Sequence, residues 1–236
     1  MQGISTPSPL FQLRAPACVV IAHPDDESMF FAPTLTSLAS DGHRALVLCL
    51  SSGDFYGLGQ TRKRELLKAC DVLGVKEEDV FVVEHPGLRD GSKEPWPPAV
   101  VADHVREIVE KHGVKTLLTF DKGGVSGHAD HAAVHGGVLH FHRNATRTSS
   151  QSATVVDVFE LTTTGMFRKY SGLLDLPLSW VSSRPFPLGL WFVSLSMRRA
   201  WRAMSAHRSQ FVWYRRLFVV FSRYAYINTF RRVPAA

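Results

Sequence analysis

Over its first 160 residues the chain alternates short β-rich apolar runs with amphipathic stretches, and no other feature restricts its fold as much. The runs are Ala17–Ala22, Ala45–Leu50, Val80–Glu84, Thr116–Phe120 and Thr154–Phe159. Between them, helices are predicted over Glu27–Ser40, Thr61–Leu73, Pro97–His112 and His131–His142. The second of these places Leu66, Cys70 and Leu73 on one face and stops at Gly74. The third spaces Val101, Val105, Ile108 and Val109 at helical intervals and stops at Gly113. Such alternation implies a Rossmann-like α/β fold, with a mainly parallel sheet and helices on both faces. Beyond the fifth run the pattern loosens. Helices are predicted over Met166–Leu176 and Met197–Tyr226, on either side of the Pro-rich Leu176–Leu188, and Asn144–Ser152 reads as a loop. At 236 residues the chain suits one domain. We expect a flexible N-terminus over 1–16 and one domain over 17–236. Its α/β core would span 17–161, and a basic, aromatic-rich C-terminal helical appendage 162–236.

The first strand runs directly into Ala22-His23-Pro24-Asp25-Asp26-Glu27. Open α/β sheets bind ligands at the carboxyl ends of their strands. Pro24 fixes its own φ and disfavours a helical His23, so His23 and Asp26 can converge on a metal while Asp25 points elsewhere. The same residues also suit an acidic helix start. A second cluster follows the fourth strand, where Gly123, Gly124 and Gly127 form a loop ahead of His128-Ala129-Asp130-His131. His128 and His131 lie three apart, a spacing that shares a helix face. Two such clusters above strand ends supply more than the three protein ligands of a catalytic zinc site. A carboxylate and a histidine are then left for chemistry.

These residues resemble the PIG-L/LmbE-type zinc deacetylases, whose hallmarks are AHPDDE after the first strand and a later H-x-D/N-H. Gly57-Leu58-Gly59 with Arg62-x-x-Glu65-Leu66 resembles a stretch of the eukaryotic members, as does Thr119-Phe120-Asp121 with Gly124-Val125-Ser126. His207-x-Ser209-Gln210 and Phe221-Ser222-Arg223-Tyr224 are similar to their C-terminal region. Asp54 and Ala129 depart from the usual Asn and Pro of that pattern. The resemblance implies removal of the N-acetyl group from N-acetylglucosaminyl-phosphatidylinositol, the second step of GPI-anchor synthesis, on the cytoplasmic face of the endoplasmic reticulum. It also implies His23, Asp26 and His131 as ligands of Zn2+, with Fe2+ or Co2+ as alternatives, and Asp25 as general base. His128, as an imidazolium oriented by Asp130, would stabilise the tetrahedral intermediate. Arg62 suits the phosphate of a phosphoinositide, or is a solvated arginine on a first helical turn. Glu27 either braces the first motif or favours the helix start, the role of Asp121 is open, and His207 is expected to be structural.

From Leu176 onward there is no Asp, Glu or Lys, but there are ten arginines interleaved with tryptophans and tyrosines. That tail carries +10, and the first 175 residues offset it with −4 to give the chain its +6. Basic residues mixed with aromatics favour a lipid headgroup surface, so a membrane surface is the expected partner and nucleic acid is not. Other readings are a deacetylase of a soluble N-acetylglucosaminyl conjugate and a non-catalytic membrane-binding relative. The latter would show decay of the motifs, and both are intact. Three cysteines without motif spacing suggest buried free thiols in a reducing compartment. Neither a signal peptide nor a full membrane span is predicted.

Overall fold

The structure is a computed structural model that describes residues 13–148, 155–183, 189–195 and 197–234. Most of the expected flexible N-terminus, and parts of the predicted Ser/Thr-rich loop and Pro-rich segment, lie outside those residues. Seven strands form one sheet in the order β3-β2-β1-β4-β5-β7-β6. They are β1 (Ala17–Ile21), β2 (Ala45–Cys49), β3 (Val80–Val82), β4 (Thr116–Phe120), β5 (Asp157–Leu161), β6 (Leu190–Val193) and β7 (Ile227–Arg232). The first five are parallel, as the alternation predicts. Strands β1, β2 and β4 are buried at every position, the pattern of strands covered on both faces.

The helices are α1 (Asp26–Phe30), α2 (Ala32–Ser40), α3 (Gly59–Leu73), α4 (Pro98–His112), the four-residue α5 (Gly124–Gly127), α6 (Ala129–Thr148), α7 (Met166–Lys169), α8 (Leu176–Ser183), α9 (Arg198–Ala206) and α10 (Trp213–Phe221). Helices α4 and α6 pack together on one face, while α1, α2, α3 and α9 cover the other. The chain therefore winds outward from β1 through β2 to β3, then crosses to β4. This reversal of direction leaves β1 and β4 adjacent at the switch point, where open α/β sheets form their ligand crevice. Both His/Asp clusters follow these two strands, so the topology brings them together.

Three expectations change. The helix predicted over Glu27–Ser40 is two helices that break at Phe31. Pro33 has no N–H for the next intrahelical bond and its ring would clash with the preceding turn. The C-terminal helical part also contributes two strands to the sheet: β7 pairs antiparallel with β5, and β6 pairs antiparallel with β7. The helix predicted over Met197–Tyr226 is α9 and α10, separated by residues whose polar groups bond to α3 rather than to the next turn. The three cysteines are buried and free, and burial pushes the Cys18 thiol up to about 12.

Candidate metal centre and catalytic cleft

Asp26 forms the floor of the site. Its Oδ2 accepts from the backbone N–H of Ala22 (3.1 Å) and of His23 (2.9 Å), which turns Oδ1 toward His131. His131 Nε2 stands 3.1 Å from that oxygen. On its other edge, the His131 ring places Nδ1 3.0 Å from the carbonyl of Gly124, which can only accept. Nδ1 therefore carries a proton, and Nε2 faces Asp26. Gly124 has φ +55, and a Cβ there would lie 2.9 Å from the Cβ of His131, so glycine makes this approach possible. Phe120 stacks flat on the His131 ring at 4.1 Å and fixes its plane.

His23 repeats this logic with the opposite nitrogen. Its Nε2 lies 2.9 Å from Asp130 Oδ2 and 3.3 Å from Asp90 Oδ1, so its proton belongs there. Nδ1 is left 4.0 Å from Asp26 Oδ2. Histidines that bind metals characteristically donate their second N–H to a carboxylate or a carbonyl. His23 and His131 both do so. Two ligand atoms on a tetrahedral Zn2+ lie about 3.3 Å apart, close to the spacing of His131 Nε2 and Asp26 Oδ1. At that distance a cation between the nitrogen and the carboxylate oxygen, whether a proton or a metal ion, draws the two together. Imidazole and carboxylate donors such as His23, Asp26 and His131 are of the type that suits a divalent ion, and His131 Nε2 and Asp26 Oδ1 are spaced as two of its ligands would be.

The charge balance agrees with that fit. Burial opposes charge on His23, yet Asp130, Asp90 and Asp26 outweigh it and bring the ring up to about 10. Burial likewise opposes ionisation of Asp26, but His131 and His23 hold its carboxyl well below the usual range. The pocket is built to retain positive charge.

His128 also converges, with ligand nitrogens of His23, His128 and His131 all within 4.8 Å of one another. Its hydrogen bonding differs in kind. His128 Nδ1 accepts from the Asp130 backbone N–H (3.3 Å), so its proton sits on Nε2 and that nitrogen is a donor. Burial, with His131 and His23 nearby, lowers its pKa. That shift disfavours the imidazolium expected from the sequence. Asp130 is also placed differently, since its carboxylate holds His23 and only its backbone N–H touches His128.

Asp25 lies beside these groups in a strained backbone, with φ 125. Its N–H donates to Glu27 Oε2 (3.0 Å), and its carbonyl accepts from Ser28 and Met29. Glu27 is fully buried and its Oε1 accepts from His207 Nε2 at 2.6 Å. Burial pulls the His207 pKa down, but Glu27, with Asp25 and Glu65 behind it, raises it above its usual value. His207 is therefore structural, as expected, and Glu27 braces the motif. Ser209, two residues on, bonds Glu65 of α3 through its N–H (2.9 Å) and hydroxyl (2.6 Å). The C-terminal region is thereby clamped to the first motif.

Arg62 is buried rather than solvated. It donates to Gly53 O (2.9 Å) and Pro24 O (2.7 Å) and stands 3.4 Å from Asp25 Oδ2. Gly53 has φ +66, and a Cβ there would meet the guanidinium at 2.3 Å. Arg215 on α10 reaches the same Asp25 oxygen at 2.7 Å and also donates to Gln210 Oε1 (2.9 Å). Burial raises the Asp25 pKa, against the pull of Arg215 and Arg62. Asp121 shapes the second motif's loop, accepting from Gly123 N–H (3.0 Å) and from the N–H (2.7 Å) and hydroxyl of Thr163. Asp54, one of the departures, accepts from Gly59 N–H (2.6 Å). The groups open onto a cleft of about 390 Å³ lined by Asp25, Phe55, Tyr56, His128 and Arg215 among others.

Asp90 and Arg215 are the site residues that sequence reasoning missed. Asp90 sits in an Arg-Asp-Gly turn whose only local signal is the turn itself, and Arg215 is one of ten arginines in the tail.

Paired His/Asp clusters above adjacent parallel strands, with a buried carboxylate alongside, define a metal-dependent hydrolase of the α/β class. The family described as PIG-L, GlcNAc-PI de-N-acetylase, matches residues 18–142. The chain is 41% identical over 211 residues to the N-acetylglucosaminyl-phosphatidylinositol de-N-acetylase of Bos taurus, which covers 89% of this chain and 81% of the relative. It is 36% identical over 218 residues to the probable enzyme of that name in Schizosaccharomyces pombe, covering 90% and 85%. Its fold is similar to that of the N,N'-diacetylchitobiose deacetylase from Pyrococcus horikoshii, with a TM-score of 0.67 at 17% identity over 93% of this chain and 84% of the other. The chain belongs to the PIG-L family.

Proposed function

We propose that this protein hydrolyses the N-acetyl group of N-acetylglucosaminyl-phosphatidylinositol at the cytoplasmic surface of the endoplasmic reticulum, giving glucosaminyl-phosphatidylinositol and acetate. The names of its relatives support the substrate. The observation that carries the chemistry is the convergence of the His23, His128 and His131 ring nitrogens beside Asp26, with Nε2 of His23 held by Asp130 and Nδ1 of His131 by the Gly124 carbonyl. His23, Asp26 and His131 would hold the ion. Zn2+ is proposed, and Fe2+ or Co2+ also suit one carboxylate and two imidazoles. When bound, the ion supplies Lewis-acid polarisation of the acetamide carbonyl and eases deprotonation of water.

The protein's residues supply the remaining steps. Asp25 takes the proton from the attacking water, and its buried carboxyl can then return that proton to the leaving amine. His128 Nε2–H donates to the oxygen on which negative charge develops. A neutral donor suits that task because it adds no like charge to a site that already holds a cation. Arg62 acts by fixing Pro24 and Asp25 rather than by meeting a phosphate, since its terminal nitrogens are spent on carbonyl oxygens.

Acetate release from synthetic N-acetylglucosaminyl-phosphatidylinositol, with and without a chelator, tests this reading. Loss on chelation and recovery with Zn2+ is expected. Release that is insensitive to chelation would overturn the metal role. Activity on soluble conjugates with none on the lipid would overturn the substrate.

A further inference from the structure

We infer that α10 is the membrane-docking element, and that its outer face lies in the interfacial region of an anionic bilayer beside the mouth of the catalytic cleft. The inference rests on the proposed lipid substrate and assigns the surface that meets the membrane. Trp213, Tyr214, Leu217 and Phe221 are each about half or more exposed, with Trp213 at 70%. At about 100° per residue they fall within roughly 100° of one arc of the helix. Phe218 and Val219, outside that arc, are buried, and Arg215 turns inward to Asp25. The helix thus has an apolar stripe outside and a cleft residue inside. No helix among the described residues is long and apolar enough to cross a membrane, so α10 would lie in the interface rather than span it.

The partly exposed Tyr170 packs its ring edge-on against the buried Phe218. Phe55 and Tyr56 are exposed at 58% and 80% and line the cleft itself. An apolar surface of this extent on a soluble face marks an interaction site. Charge identifies the occupant. Arg216 on the same helix is exposed, as is Arg208 ahead of it in sequence, and the sequence from Leu176 onward contains no carboxylate side chain to balance them. Against a second copy, a two-fold contact would set these arginines against their own equivalents. Anionic headgroups complement them, and aromatics with arginines are the composition of interfacial helices. A glycolipid held in that bilayer would present its sugar to the cleft without leaving the membrane.

The test uses the full chain, vesicles of phosphatidylcholine with and without phosphatidylinositol, and the double variant Trp213→Ser/Leu217→Ser. Both replaced side chains are exposed, and an unchanged thermal midpoint checks the fold. The wild type is expected to float with the phosphatidylinositol vesicles, and the variant to bind them at least about tenfold more weakly. The conservative pair Trp213→Phe/Leu217→Met is expected to retain binding. Both the wild type and the serine variant should deacetylate an acyl-free N-acetylglucosaminyl-inositol headgroup at equal rates, while only the variant loses rate on vesicle-borne substrate. Equal vesicle binding by wild type and serine variant would overturn the assignment of α10, as would absence of binding by the wild type. If neither protein acts on the headgroup, the proposed deacetylation fails, and flotation still decides the docking face on its own.

Discussion

On one side of Asp25, His23, Asp26 and His131 are built from two short stretches of sequence, each directly following a strand. On the other side, Glu27, Arg62, His207 and Arg215 come from segments as much as 188 residues apart. The first group gathers a carboxylate and imidazole nitrogens at one point. The second does the reverse, setting cations against carboxylates so that a strained aspartate stays in place. The difference teaches that the proposed ion site is a property of the sheet's topology, whereas the proposed base, Asp25, is held in part by the C-terminal segment. Removing a residue from either side should fail in a distinguishable way.

The largest effect is expected from His131→Ala, which removes a ligand and the stack on Phe120. Metal content should fall to background together with acetate release, while a normal metal content would break the comparison at once. Next is Asp130→Ala, which leaves the ligands in place but frees the His23 ring. Groups that orient metal-bound histidines contribute about 10–100-fold in metal affinity, and a competition titration should find a loss of that size with little change in thermal stability.

His207→Ala belongs to the other side and should affect the fold rather than the ion. It strands Glu27 in the core, a loss on the order of 3–5 kcal/mol for a buried pair. The sign with pH follows from the raised His207 pKa. The pair's stabilisation is present in full below the unfolded value of about 6.5, and is lost as pH rises through the higher folded one. The gap in urea stability between wild type and variant should therefore narrow as pH rises, and a constant gap would contradict the charged pair. Arg215→Gln should have the smallest effect. Arg215 helps hold Asp25 ionised, so its removal should move the acid limb of the rate profile to higher pH with metal content unchanged.

How much of this was legible follows the same division. The five parallel strands and the two clusters are written in local patterns, namely apolar runs, Gly stops and Pro24 after His23. The antiparallel β6 and β7 are not. Their residues, Leu-Trp-Phe-Val and Ile-Asn-Thr-Phe-Arg-Arg, lie in an arginine-rich region without clear alternation, and only the open edge of β5 makes them strands. Asp130 illustrates the limit within the site. Its proximity to His128 in sequence suggests one partner, while the helical turn at α6 delivers its carboxylate to His23 across 107 positions. Arg62 was recognisable as a functional arginine, but its burial depends on Gly53 and Pro24 folding over it.

The central claim is that the adjacent carboxylates have divided roles, Asp26 for the ion and Asp25 for the proton. Asp25→Asn tests it directly when metal content and acetate release are measured on the same sample. The account predicts a full complement of metal with the rate reduced by about 10²–10⁴, the range for a lost general base. A variant that keeps both its metal and its rate, or that loses its metal, would contradict it.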